Sequence, residues 1–425
     1  MFSAPTEQYL EQAYHRARDE YADLGIDTGE ALQRLARVAV SINCWQGDDV
    51  AGFEGQEGIT GGGILATGEY PGKARNPDEL RRDFEMAYSL IPGKHRFNLH
   101  AMYRESDNPA LDRDGIGPEH FSRWMDWARE MDLALDFNPT FFSHPLAKSG
   151  YTLASRDEKV RAFWIEHGKR SRQIAAHLGA HQGSASINNF WVPDGSKDEP
   201  ADRLAHRELL IQSLDEIFSL AYPREQTLDA VESKLFGIGS EAFVAGSHDF
   251  YLAYAISRGV MLTMDAGHYH PTESVAEKIS AVLPFCQDLL LHLSRPIRWD
   301  SDHVVIFDDA TRDIFREVQR ARSFDRVHLA VDFFDASINR IAAWVIGVRS
   351  ALKAALFALL EPTDLLVAAE ESGDTATRLA LQQELLTLPF GAVWDKFCLD
   401  QGVPPGRFWL AQVKEYEQQV LRKRQ

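Results

Sequence analysis

Seven residues able to bind hard metal ions stand at the ends of short apolar runs in this 425-residue chain. Glu232 lies in VESKLFG, Asp265 in MDAGHYH, His292 in LLHLSR and Asp332 in AVDFFD. His268 follows Asp265 by three positions, and Asp300 and Asp302 sit in RPIRWDSDHVV. Carboxylate and imidazole donors without a thiolate suit Mn2+, Mg2+, Co2+ or Zn2+. One Asp or His at such a place is usually a cap or a hydrogen-bonded core residue. Seven on consecutive units point instead to two divalent ions sharing one mouth.

Three further pairs could act beside such ions. Glu232 and Lys234 are two apart on one strand and so share a face; Lys234 would hold a substrate oxygen as it gains negative charge, or merely neutralise the carboxylates. By the same alternation His100 shares a face with Asn98, and Trp45 with Asn43. A histidine near neutral pKa can move a proton to or from a sugar ring oxygen, and a tryptophan can wall the C–H face of a sugar. For Trp45 and Trp191 ordinary packing is the competing reading.

Such groups need a scaffold that brings strand ends together. Eight runs read as strands: 38–46, 96–103, 133–141, 184–192, 228–237, 259–268, 288–295 and 326–335. Amphipathic stretches such as PDELRRDFEMAYSLIPG and DATRDIFREVQRARS lie between them. Strand and helix alternating eight times predicts an α/β fold, a (β/α)8 TIM barrel whose catalytic groups sit at strand C-terminal ends. The expected organisation is a helical lead-in over 1–37, with Thr28 capping EALQRLARVA, then a barrel over 38–350 and a helical extension over 351–425. The glycine-rich stretch 52–72 reads equally as a mobile surface loop or as a βα loop over the mouth.

Bulk properties narrow the function classes. With 44% hydrophobic and 25% charged residues the composition is that of a soluble globule, and no apolar run approaches the roughly 18 residues of a membrane span. A net charge of −18 argues against nucleic-acid or anionic-lipid partners. The three cysteines, Cys44, Cys286 and Cys398, form no CxxC, and the N-terminus lacks a signal-like apolar block, so a cytoplasmic location is expected.

The stretches CWQGDDVAGFE, ATGEYPGKARN, NLHAMYRESD, DFNPTFFSHPLA, WVPDGSKD, DAVESKLFGIGSE, DAGHYHPTE, LLLHLSRPIRWDSDHVV and DFFDASINRIAAWVIG resemble the L-rhamnose isomerase family from about residue 40 to 350, with looser similarity at both ends. The resemblance implies a metal-dependent aldose–ketose isomerase interconverting L-rhamnose and L-rhamnulose. It implies a structural metal on Glu232, Asp265, His292 and Asp332 and a catalytic metal near His268, Asp300 and Asp302. Mn2+ is favoured for the catalytic site, with Zn2+, Co2+ or Mg2+ as alternatives. It further implies His100 for ring opening, Lys234 at the substrate's terminal oxygens, and a cytoplasmic homotetramer. For such a reaction, water or hydroxide near Asp302 or Asp332 would shuttle the O2 and O1 protons, with Trp45 and Trp191 as candidate substrate walls.

Other classes compete on the residues alone. A barrel metallohydrolase would usually carry His-x-His on its first strand, which here reads SINCWQ, whereas His268-Tyr269-His270 lies on the sixth. A glycosidase with Glu232 as acid would leave His268 and His292 without a purpose. A metal-stabilised sugar-binding protein would use the same ligands but would not turn sugar over.

Overall fold

The computed structural model describes residues 5–54, 66–234, 242–270, 272–297 and 299–424. All eight expected strands are present, each shorter than its apolar run: β1 (Val40–Asn43), β2 (Arg96–His100), β3 (Ala134–Asn138), β4 (Ser186–Trp191), β5 (Thr227–Glu232), β6 (Met261–Asp265), β7 (Leu289–Leu293) and β8 (Val327–Val331). They pair in parallel in chain order, and β8 closes on β1 through Val40 opposite Leu329. The runs read as continuous apolar segments because a parallel barrel strand is covered on both faces. Ile187, Ala230, Met261, Leu290 and Ala330 fill the lower barrel interior as one cluster. With that end packed, polar groups gather at the opposite mouth.

The connecting helices carry clear start and stop chemistry. Asn76 caps helix Pro77–Tyr88, whose first residue is proline, and Asp308 caps helix Asp309–Arg320. Helices Glu158–Gln182 and His248–Arg258 end on Gly183 and Gly259, both in the left-handed region that glycine adopts at no steric cost. At the N-terminus the expected cap is displaced by one residue. Asp27, not Thr28, caps helix Thr28–Leu35, accepting from the N–H groups of Gly29 and Glu30. Thr28 turns inward to the Tyr14 hydroxyl, 3.1 Å away.

Helix Arg340–Leu359 is long and apolar enough by composition to cross a membrane, yet it is 83% buried inside the protein. It packs against helices Asp309–Arg320, Thr28–Leu35 and Pro77–Tyr88, so apolar residues surround it on most sides. Beyond it lie helices Thr363–Glu371, Thr375–Glu384, Phe390–Asp400 and Trp409–Gln419. Two short antiparallel pairs, Arg295–Ile297 with Trp299–His303 and Gly195–Ser196 with Phe243–Val244, were not evident in the sequence pattern.

Gly179 shows how closely a helix can lie on this barrel. A Cβ there would overlap the backbone carbonyl of Gln226, just ahead of β5. The Gly179→Ala protein should lose about 2 kcal/mol of stability, read as a lower urea midpoint, because backbone cannot move aside as a side chain can. An unchanged midpoint would contradict this packing.

Candidate metal centre

The register of the last four strands assembles the metal-ligand set. Asp265 and His292 lie directly opposite one another on β6 and β7, Glu232 ends β5, and Asp332 follows the last residue of β8. One ligand atom from each of Glu232, Asp265, His292 and Asp332 falls within 4.8 Å of the others. His292 Nδ1 stands 3.3 Å from Asp332 Oδ2, 3.4 Å from Glu232 Oε2 and 3.6 Å from Asp265 Oδ2.

Each carboxylate commits one oxygen to the protein. Asn189 Nδ2 donates to Glu232 Oε2 at 2.6 Å, and Thr263 Oγ1 holds that amide by donating to Asn189 Oδ1 at 2.7 Å. Asp265 Oδ1 accepts from the Gly267 N–H and the Ser294 hydroxyl, and Asp332 Oδ1 accepts from Trp45 Nε1 at 3.0 Å. Glu232 Oε1, Asp265 Oδ2 and both ring nitrogens of His292 are buried without a hydrogen bond. Buried polar atoms rarely go unpaired, and unpaired atoms on three side chains of a cluster this tight fit a divalent cation. Burial disfavours a charge on His292, but the surrounding carboxylates prevail and raise its pKa well above the usual imidazole value.

His268 lies beside this group. Its Nδ1–H donates to Ser233 O at 2.8 Å, and Nδ1 is 3.2 Å from Glu232 Oε1. Glu232 therefore stands between His292 and His268. Asp302 lies on the short strand Trp299–His303 with φ at +43°, and its carbonyl accepts from Phe334 N–H. The side chain of Asp300, on that strand, is outside the described residues.

These groups open into one cavity at the mouth, where Trp45, His100, Trp191, Glu232, Lys234, His268, His292, Asp302 and Asp332 all contribute to the lining. Asp265 closes the cluster from below and does not line it. Lys234 lies two residues past the end of β5, with its ammonium 4.7 Å from the Trp191 ring centroid, a cation–π distance. His100 packs edge-on to Trp45 and Phe142, and burial brings its pKa down to about 3, so the ring is neutral at ordinary pH. Asn43 and Asn98 stay in the barrel wall, on Phe333 O and Asn138 Nδ2.

Asn138, Phe142, Asn189, Val50 and Phe334 also line the cavity and were not singled out in the sequence. Asn189 had a signal, one of two adjacent amides in the buried SINNFW strand. The glycine-rich stretch 52–72 is described at its two ends only. Phe53 N–H donates to Met102 O beyond β2, and Tyr70 N–H to Ala336 O beyond β8, so both ends sit at this mouth.

A family model described as L-rhamnose isomerase (RhaA) matches residues 8–424. The chain belongs to the L-rhamnose isomerase family. It is 57% identical over 415 residues to an L-rhamnose isomerase of Rhodopirellula baltica, covering 98% of this chain and 97% of that protein. The L-rhamnose isomerase of Mannheimia succiniciproducens is 55% identical over 415 residues, covering 98% and 99%. A solved structure of L-ribulose 3-epimerase is 12% identical, with a TM-score of 0.45 over 71% of this chain and 97% of the other.

Two measurements check this geometry. Removing the amide that holds Glu232, in Asn189→Ala, should weaken Mn2+ binding by about 10- to 100-fold in calorimetric titration of EDTA-stripped protein. Unchanged affinity would separate Asn189 from the centre. His95 and His167, buried away from the cluster, have pKa values pushed down by burial to about 4 and about 3, below the ordinary 6.5. The unfolded chain then binds more protons below pH 6.5, so stability falls as pH falls through that window. The two should remove about 2 kcal/mol between pH 6.5 and 5.5, and a His167→Gln protein should show a shallower acid slope.

Proposed function

We propose that this chain interconverts L-rhamnose and L-rhamnulose with two divalent ions at the barrel mouth, Mn2+ favoured at the catalytic site and Zn2+, Co2+ or Mg2+ as alternatives. The observation that carries the reading is the converging unpaired set of Glu232, Asp265 and His292 with Asp332, in a chain of the L-rhamnose isomerase family. In this reading Glu232, Asp265, His292 and Asp332 hold one ion, and His268, Asp300 and Asp302 hold the other. Divalent ions there would supply Lewis acidity that stabilises charge developing on sugar oxygens, worth several kcal/mol.

The remaining roles follow from side-chain chemistry. Trp45, Phe142 and Trp191 offer apolar walls that fit the C–H faces of a sugar and exclude water. Lys234, held over Trp191, presents a fixed positive charge to the terminal oxygens. His100, neutral and at the wall, is placed to hydrogen-bond the ring oxygen during opening. Isomerisation then moves one hydrogen from C2 to C1 and the O2 proton to O1, with Asp302 and Asp332 as carboxylates near that proton path. The same reading divides the chain at 37 and 350 into lead-in, barrel and extension, and assembles it as a cytoplasmic homotetramer without nucleic-acid or membrane partners.

The direct test strips the protein with EDTA, restores Mn2+, and follows ketose from L-rhamnose, L-mannose, D-allose and D-xylose. Metal-restored conversion, fastest with L-rhamnose, is expected. No ketose from any sugar with any divalent ion would overturn the isomerase reading and favour hydrolysis.

A further inference from the structure

His100 rests on a network that lies wholly behind the cavity. Its Nδ1 is 3.1 Å from Thr140 Oγ1, and Thr140 is fully buried on the loop after β3. Both backbone groups of Thr140 are held by buried side chains. Its N–H donates to His167 Nε2 at 2.9 Å, while His167 Nδ1–H donates to Arg113 O at 3.0 Å. Its carbonyl accepts from Arg113 Nη1 at 2.8 Å, and the same guanidinium reaches Phe142 O at 2.5 Å and Ser143 O at 3.2 Å. Arg113 is itself pinned by Glu54, its Nη2 lying 2.7 Å from Oε2, and Arg104 pairs with that carboxylate too. A buried charge pair with this many satisfied donors fixes geometry more surely than it adds stability.

The hydroxyl has one consistent use for its own proton. Met102 N–H approaches Thr140 Oγ1 at 3.4 Å and can only donate. Among the described residues the only hydrogen-bond acceptor within reach of the Thr140 proton is His100 Nδ1. From this geometry we infer that Thr140 is the positioning residue of His100: its hydroxyl donates to Nδ1, fixing the ring plane and the tautomer that carries its proton on Nε2, toward the cavity. Arg113, Glu54 and His167 hold Thr140 in place for that task. The inference rests on the isomerase reading, since His100 is argued to meet a sugar ring oxygen. An Nε2–H there would donate a hydrogen bond to that oxygen as the ring opens.

Thr140→Val keeps the shape and deletes the hydroxyl, and Thr140→Ser keeps the hydroxyl. With holoenzyme of matched metal content and melting temperature, Thr140→Val should lower kcat/KM for L-rhamnose by about tenfold or more, and Thr140→Ser should restore most of it. In wild type, 15N-histidine spectra should show His100 protonated on Nε2, its signals identified by their loss in His100→Gln. Equal activity of Thr140→Val and wild type, equal losses in both variants, or protonation on Nδ1 would overturn the inference. Should Thr140→Val fail to fold, the wild-type tautomer decides alone. A wild-type protein that makes no ketose would instead sink the isomerase reading and leave the tautomer assignment to the spectra.

Discussion

Three carboxylates and an imidazole buried within a few ångströms of one another are unstable without a cation. Even a protonated His292 leaves Glu232, Asp265 and Asp332 with net negative charge, and of the three only Asp332 is partly exposed. Burying such charge is costly unless it is neutralised and hydrogen-bonded. The surroundings follow from that constraint: Asn189, Gly267, Ser294 and Trp45 each take one carboxylate oxygen, and the other oxygens are left facing inward.

The barrel is what makes the arrangement inexpensive in conformational terms. Closed parallel pairing sets Asp265 opposite His292, so two ligands are placed by backbone hydrogen bonds rather than by flexible loops. Packed residues at the lower end leave the upper end to polar groups, and the aromatic wall of Trp45, Phe142 and Trp191 gives those groups a dry flank. Behind the wall, Arg113 on the segment after β2 pairs with Glu54 after β1 and donates to carbonyls of Thr140, Phe142 and Ser143 on the loop after β3. The four-residue cluster and the aromatic wall are therefore two rigid supports meeting at one cavity, joined where Trp45 Nε1 donates to Asp332.

The barrel was readable in sequence because its strands are short apolar runs ending in a polar residue, and the polar residue at or beside the C-terminal end of each of β5 to β8 belongs to the cluster able to hold a metal ion. Other features were not. Asp27 and Thr28 are both good caps, and only the backbone geometry decides for Asp27. The hairpin after β7 is too short, and too interrupted by Pro296, to show a strand period. Arg113 lies 59 residues from Glu54 and 27 from Thr140, so no local spacing announces the three. Asn189 and Phe142 belong to the cavity for the same tertiary reason.

The most direct test of the account is anomalous diffraction at the manganese edge from crystals grown with Mn2+. The account predicts a peak enclosed by Glu232, Asp265, His292 and Asp332, with the ring of His292 turned to it as a ligand. Density without an anomalous peak, and His292 instead hydrogen-bonded within a protonated carboxylate cluster, would contradict it.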